Sequence, residues 1–208
     1  LLRAKMGLGT LIKNAHNFPS ALTSFDEVIA LNPNYGPVYR ELAETEYLWA
    51  LNDARKYDEH ISKGLAFYEK YMSLTDYSLD SRMRHADFLI LASDYKALEK
   101  EANEMSKLDN VNPRIYRYLG YSAYYNNNFD TAISSLVSFI SNPSNRIIGR
   151  DYFYVGAAKL SKALIASPID NALINEGISD FKKSFDMSPA ISAELPEQAK
   201  KLYEKKLY

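Results

Sequence analysis

Three patterns in the sequence begin like motifs for chemistry but lack residues that the chemistry needs. The segment GLG at 7–9 starts like a nucleotide-binding loop, yet the third glycine and a preceding strand are missing. The segment GYSAY at 120–124 lacks the final glycine that places a nucleophilic serine on a tight turn. His16, His60 and His85 do not have the close spacing of a catalytic zinc site. We therefore expect no catalysis, no cofactor and no metal.

Two acidic runs could in principle serve metal binding or acid–base chemistry. They are Glu41, Glu44 and Glu46, and Glu99, Glu101 and Glu104. Charged residues normally occupy the solvated faces of helices, so we expect both runs to be exposed. The 17 tyrosines are more informative, because tyrosine and arginine are enriched among the residues that dominate binding at protein interfaces. The side-chain types therefore favour recognition over catalysis.

The composition limits the possible partners. The chain has 208 residues with 25 basic and 26 acidic side chains, a formal net charge of −1. This balance lacks the basic footprint of a general nucleic-acid binder and the polybasic patch that an anionic membrane surface would attract. There is no cysteine, and no apolar run reaches the ~20 residues that span a bilayer. We expect no nucleic-acid partner and no direct insertion into a membrane.

The compartment is left open by the sequence. Residues 1–6 (LLRAKM) lack the features of a signal peptide and do not begin with methionine, so we expect a fragment whose targeting segment lies elsewhere. The absence of cysteine fits a bacterial cytoplasm or periplasm, and the content of Asn, Ser, Tyr and Lys slightly favours the periplasm or envelope. Flanking domains and the oligomeric state are also left open.

A repeated order of small and large residues positions these side chains. Gly9 precedes Ala21 by 12 residues, and Gly120 precedes Ala132 by the same distance. Large apolar residues follow the second small residue by four and seven positions, which places them on one helix face. The small residue of each first helix falls at 9, 43, 86, 120 and 156, with successive gaps of 34, 43, 34 and 36. The spacing predicts five helix–turn–helix units whose small residues let facing helices approach closely.

A period of about 34 residues with this content resembles the tetratricopeptide repeat family. The resemblance covers about residues 2–191, in copies at about 2–35, 36–78, 79–112, 113–148 and 149–191, followed by a capping helix at 192–208. It implies an all-α fold, a right-handed superhelical solenoid of antiparallel helix pairs. The chain departs from the family where Tyr39, Tyr116 and Tyr152 replace its tryptophan and where His85 replaces a leucine.

Two of the copies are longer than the others. Ala43 and Gly64 are 21 residues apart, as are Gly156 and Gly177, instead of 12. We expect about one extra turn on each helix of these hairpins. At ~1.5 Å per residue, the tips near 52–57 and 165–171 should project by ~6–7 Å.

The first helix of each pair lines the concave side of such a solenoid, where the resemblance implies that ligands are held. Positions at i, i+4 and i+7, offset from the packing face, should be exposed there. The predicted partner-binding residues are Arg40, Glu44, Tyr47, Met83, Arg84, Asp87, Arg114, Arg117, Tyr121, Tyr124 and Phe153. We favour a binding role for the stripe of Arg117, Tyr121 and Tyr124, although each tyrosine could instead pack between repeats.

The expected function is a scaffold that binds a protein or peptide segment in this concave groove. One subclass of the family grips a C-terminal carboxylate with a Lys–Asn pair spaced i, i+4, and no first helix here carries that pair. The first alternative is a structural spacer within a larger bacterial envelope protein. The second is a binder of a small molecule or carbohydrate, for which only the aromatic side chains argue.

Overall fold

The computed structural model of the chain describes residues 1–75 and 77–206. These residues form eleven α-helices, two short 3-10 helices at 54–56 and 189–194, and no β-strand, so the predicted all-α fold is confirmed. The α-helices are α1 (Leu2–Asn14), α2 (Phe18–Leu31), α3 (Gly36–Asn52), α4 (Tyr57–Leu74), α5 (Leu79–Leu91), α6 (Tyr95–Leu108), α7 (Pro113–Tyr125), α8 (Phe129–Ser141), α9 (Gly149–Ile165), α10 (Asn171–Met187) and α11 (Glu197–Lys206).

The chain divides into two compact units. The first unit, Leu1–Asp94, contains α1 to α5, and the second unit begins at Tyr95 and contains α6 to α11. Helices pack as sequential hairpins, α1 with α2 and α3 with α4 in the first unit, and α7 with α8 and α9 with α10 in the second. The predicted boundaries between repeats stay a prediction. None of the helices in the described ranges is long and apolar enough to cross a membrane.

Three turns between helices share one backbone geometry. The middle residue is left-handed in each, with φ of 60° at His16, 57° at Ser93 and 61° at Asn127. Asparagine and histidine are among the non-glycine residues that tolerate this region best. Asn17 and Asn128 then cap α2 and α8, because each side chain accepts a backbone N–H of the following turn. The recurring turn is local evidence of repetition, independent of the apolar spacing.

Small residues lie where the helices approach most closely. The six that the sequence placed there are all buried: Gly9, Ala21, Gly120, Ala132, Gly156 and Gly177. A Cβ on Gly156 would stand 2.8 Å from the Gly177 carbonyl oxygen, and one on Gly120 would overlap the Leu136 side chain. A side chain larger than hydrogen would force these helices apart.

The two long hairpins have the expected extra length. Helices α3 and α4 contain 17 and 18 residues, and α9 and α10 contain 17 each. The other paired helices contain 13 or 14. In each long hairpin the addition is therefore shared by both helices.

The expectation that the first acidic run is solvated is wrong for two of its members. Glu46 is buried, and its Oε2 lies 2.6 Å from Nδ1 of His60, whose ring stacks on Trp49 at 4.3 Å. Glu41 accepts a hydrogen bond from the buried Lys13 at 2.9 Å. Both carboxylates are held by basic partners, which offset the cost of removing them from water.

Candidate binding groove

An open cavity of about 710 Å³ lies in the first unit between α3 and α5. Its volume is in the range of pockets that hold ligands. The lining residues are Arg40, Glu44 and Tyr47 of α3, Tyr68 of α4, and Arg84, Asp87, Phe88, Ile90 and Leu91 of α5. Five of the residues predicted for partner binding line this groove together: Arg40, Glu44, Tyr47, Arg84 and Asp87.

Helical spacing and one close crossing bring these side chains together. Arg40, Glu44 and Tyr47 follow each other at i, i+4 and i+7 on α3, so they share one face. Helix α4 passes between α3 and α5 at Gly64, where a Cβ would lie 3.3 Å from the Ala43 carbonyl oxygen and 3.0 Å from the Phe88 ring. The missing side chain therefore lets three helices converge beneath the groove.

Aromatic rings form the apolar part of the groove. The Tyr47 and Phe88 rings meet edge to face at 6.3 Å, and the Tyr68 ring lies 5.4 Å from Phe88. Tyr68 is buried, and its hydroxyl makes no hydrogen bond with the part of the chain that the structure describes. Burial, with a smaller contribution from Tyr71, raises the pKa of Tyr68 to about 12.

A buried lysine lies behind one wall of the groove. Lys13 of α1 is only 3% exposed, and its Nζ donates to Glu41 at 2.9 Å and to Glu44 at 2.7 Å. Burial opposes its charge, but the hydrogen bonds to the two carboxylates outweigh this and raise the pKa of Lys13. The Glu44 carboxylate is thus partly neutralised by a cation that solvent does not reach.

The two arginines of the groove have weaker partners. The Arg40 side chain is 51% exposed, and its Nη2 lies 3.9 Å from Glu41 Oε1. Arg84 Nε donates at 3.2 Å to Asp80, one turn earlier on the same helix, and both side chains are more than half exposed. Exposed pairs of this kind contribute little stability. Both guanidinium groups can therefore exchange their partner for a ligand at low cost.

Met83 does not line this groove. The sequence placed it on the exposed face of α5, but it is buried. The expected exposure of Met83 is therefore wrong: at this level of α5 its neighbour Arg84 lines the groove, while Asp87 of the same predicted stripe lines it as expected.

In the second unit, two predicted binding residues hold a buried carboxylate instead. Asp151 is 0% exposed, and it accepts hydrogen bonds from Arg117 at 2.8 and 2.7 Å and from the Tyr121 hydroxyl at 2.8 Å. The Ile148 N–H donates to the same carboxylate at 2.8 Å. The Arg117 guanidinium also lies 4.2 Å from the centre of the Phe139 ring. These contacts fasten α7 to the start of α9.

The expectation that Tyr121 is exposed for a partner is therefore wrong. Its side chain is buried, and burial together with the negative charge of Asp151 raises its pKa above the usual value. Arg117 is committed to Asp151 and to the Arg146 carbonyl, to which it donates at 2.8 Å. Substituting Arg117 or Tyr121 would destabilise the fold, so a loss of binding in such a variant would not identify a binding residue.

The remaining predicted residues of the second unit are divided between core and surface. Phe153 is buried against Phe181 at 5.6 Å, which corrects its expected exposure. Tyr124 is half-buried beside a small apolar cavity of about 70 Å³. Arg114 is exposed and donates to the Tyr118 hydroxyl at 3.0 Å.

Four important residues escaped the sequence analysis, and two of them left a signal. Lys13 follows Gly9 by four positions and therefore lies on the same packing face of α1. A lysine on that face indicates a buried ion pair. Asp151 lies in the first turn of α9, where an acid commonly accepts backbone N–H groups. Tyr68 and Phe88 have ordinary core spacing and gave no sign of lining a groove. Among the described residues, no group of three or more His, Asp or Glu side chains could hold a metal ion.

Comparison with known proteins identifies the fold. No family model matches the sequence, and no curated protein matches it. A solved MamA structure has a TM-score of 0.66 at 18% identity, covering 94% of this chain and 96% of MamA. MamA from Desulfovibrio magneticus RS-1 has a TM-score of 0.66 at 12% identity, with 91% and 96% covered. YrrB, described as a TPR protein with an unusual peptide-binding site, has a TM-score of 0.65 at 12% identity, with 89% and 85% covered.

These similarities extend over nearly the whole chain and agree with its helix hairpins, its buried small residues and its recurring turn. The resemblance that the 34-residue period indicated is confirmed at the level of the fold. The chain has the tetratricopeptide-repeat fold.

Proposed function

We propose that this chain is a protein-interaction module that binds a peptide segment in the groove between α3 and α5. The observation that carries the proposal is the convergence of five predicted binding residues on one open cavity of about 710 Å³. They include two exposed arginines and Tyr47, and the Tyr68 and Phe88 rings complete the lining. Tyrosine and arginine are enriched among the few residues that dominate binding energy at protein interfaces.

The shape of the groove also supports a peptide. The lining residues extend over about two turns of α3 (40–47) and of α5 (84–91), so a segment can lie along the groove. The lining offers both charged groups and aromatic rings, so polar and apolar side chains of a segment would each find partners. YrrB, which is similar in fold, is described as having a peptide-binding site.

We propose binding rather than catalysis at this groove. The residues that line it are arginines, carboxylates, and aromatic and aliphatic side chains. The set contains neither a serine nor a histidine, so a nucleophile with its activating base is not assembled from these side chains.

The test is a selection followed by a matched pair of variants. Random 12-residue peptides displayed on phage are selected against the immobilised protein, and the enriched sequences are synthesised and titrated by fluorescence anisotropy. We expect Tyr47→Ala to weaken binding by tenfold or more, because it removes an aromatic wall of the groove. Tyr77→Ala is the control, since Tyr77 is exposed and does not line the cavity.

Circular dichroism establishes that both variants are folded. Equal affinity of the peptides for the Tyr47→Ala variant and the unmodified protein would place binding elsewhere. The projecting hairpin tips at 52–57 and 165–171 would then be the surfaces to examine.

A further inference from the structure

We infer that the groove between α3 and α5 selects segments in which an acidic side chain lies about three residues from an aromatic or aliphatic one. This inference rests on the proposed function and adds the chemistry of the partner. It follows from the order of charges along the groove, from the existing partners of those charges, and from the length of the groove.

The groove has a basic end and an apolar end. Helix α5 runs antiparallel to α4, as two contacts show. His85 Nε2 lies 3.6 Å from Glu69 of α4, whereas Phe88, which comes later on α5, lies against Gly64, which comes earlier on α4. Helices α3 and α4 form an antiparallel hairpin, so α3 and α5 run parallel. Arg40 and Arg84 therefore lie toward the same end of the groove, which is the end where α3 and α5 begin.

The basic end is suited to a carboxylate. Arg40 lies 3.9 Å from Glu41, and that carboxylate already accepts a hydrogen bond from Lys13 at 2.9 Å. Arg84 pairs with the exposed Asp80 of its own helix through a single nitrogen atom, Nε, at 3.2 Å. A guanidinium group binds a carboxylate through two parallel hydrogen bonds, which neither arginine makes with these partners. An acidic side chain of the partner would supply that geometry.

The two carboxylates of the groove attract a basic residue of the partner less strongly than the two arginines attract an acidic one. Glu44 accepts a hydrogen bond at 2.7 Å from the buried Lys13, which offsets part of its negative charge, although the Glu44 side chain itself is 53% exposed. Asp87 follows Arg84 by one turn, and its negative charge repels a second acidic residue near the middle of the bound segment. The groove therefore selects one acidic side chain rather than an acidic tract.

The opposite end is suited to an apolar side chain. Tyr47, Phe88 and Leu91 are half-buried there, and the Tyr47 and Phe88 rings meet edge to face. Seven residues separate Arg40 from Tyr47, a distance of ~10 Å along a helix at ~1.5 Å per residue. An extended peptide covers ~3.3–3.6 Å per residue, so the two anchoring side chains lie about three residues apart.

The experiment uses peptides enriched by phage selection against the complete chain, synthesised with acetylated and amidated ends so that no terminal charge contributes. We expect the enriched sequences to carry Asp or Glu three residues from Phe, Tyr, Leu or Ile. Combining Arg40→Gln with Arg84→Gln should lower the affinity at least tenfold, or ~1.4 kcal/mol. Arg55→Gln is the matched control, because Arg55 is 95% exposed and outside the groove.

A charge exchange makes the test more specific. Selection against the variant with Arg40→Glu and Arg84→Glu should enrich Lys or Arg at the position of the acidic residue. Peptides that lose affinity for Tyr47→Ala but keep it for the double glutamine variant would overturn this inference and leave the proposed function intact. Peptides unaffected by either change, or a selection that enriches nothing, would overturn both.

Discussion

Replacing Arg117 by methionine is expected to destabilise the second unit by ~3 kcal/mol. The change leaves the Asp151 carboxylate, which is 0% exposed, without its two hydrogen bonds to a cation. Removing one partner of a buried ion pair costs ~3–5 kcal/mol. The lower value applies here because the Tyr121 hydroxyl and the Ile148 N–H still bind the carboxylate. Methionine keeps an apolar side chain beside the Phe139 ring, but the hydrogen bond to the Arg146 carbonyl is lost together with the charge.

The assay is urea unfolding followed by circular dichroism, with hydrogen exchange of residues 142–155 measured by mass spectrometry. Because the chain has two compact units, the exchange data assign the loss to the segment that carries Asp151. Arg84→Met is the control, since the exposed pair with Asp80 contributes only ~0.3–0.5 kcal/mol.

Repeating the substitution in an Asp151→Asn protein separates the energy of the ion pair from the energy of lost packing. In an Asp151→Asn protein the buried charge is absent, so Arg117→Met should cost less than ~1 kcal/mol there. An equal cost in both backgrounds, or a loss below ~1 kcal/mol in the native background, would refute the description of Asp151 as a buried anion held by Arg117.

Three further predictions concern packing and ionisation. Gly156→Ala should lower stability by ~1–3 kcal/mol in urea unfolding, because its Cβ would stand 2.8 Å from the Gly177 carbonyl oxygen. Gly7→Ala is the control and should stabilise the helix by up to ~1 kcal/mol, since its Cβ would meet no neighbouring element within 4 Å. Tyr68→Phe should be at least as stable at pH 7, since it removes an unpaired hydroxyl. Because burial raises the pKa of Tyr68 to about 12, the folded state resists ionisation of this hydroxyl, and the unmodified protein should lose up to ~3 kcal/mol of stability relative to the variant as the pH rises from ~10 to 12. Lys13→Met should lower the thermal midpoint at pH 7, because it leaves two carboxylates without their buried cation, and an unchanged midpoint would contradict the network.

The fold was predictable from the sequence because it depends on a local rule that is repeated. Small residues at 12-residue spacing mark close helix crossings, and Gly120 and Ala132 occupy the buried positions that this rule assigns. The extra length of the long hairpins was predictable for the same reason. Gly156 and Gly177 meet at one helix crossing, so their separation in sequence counts the residues that lie between them around the tip of the hairpin.

The site was only partly predictable because burial depends on contacts between distant residues. On α3 the spacing identified Arg40, Glu44 and Tyr47 correctly as residues that line one groove. On α5 the same rule chose Met83 and Asp87; Asp87 lines the groove, but Met83 is buried and its neighbour Arg84 lines the groove instead.

Buried charges were the residues hardest to foresee. Asp151 belongs to a type that is almost never fully buried unless it is paired, and its partner Arg117 is 34 residues away. Hydrophobic periodicity treats both as surface residues, so it predicted a binding stripe where the structure has an internal ion pair.

The central claim, that the groove between α3 and α5 binds a peptide, is tested most directly by nuclear magnetic resonance. An enriched peptide is titrated into uniformly ¹⁵N-labelled protein, and the backbone amide shifts are mapped onto the sequence. We expect the largest changes at residues 40–47 and 84–91, with those at 129–141 unaffected. Changes concentrated at 52–57 or 165–171, with residues 40–47 and 84–91 unmoved, would contradict the account.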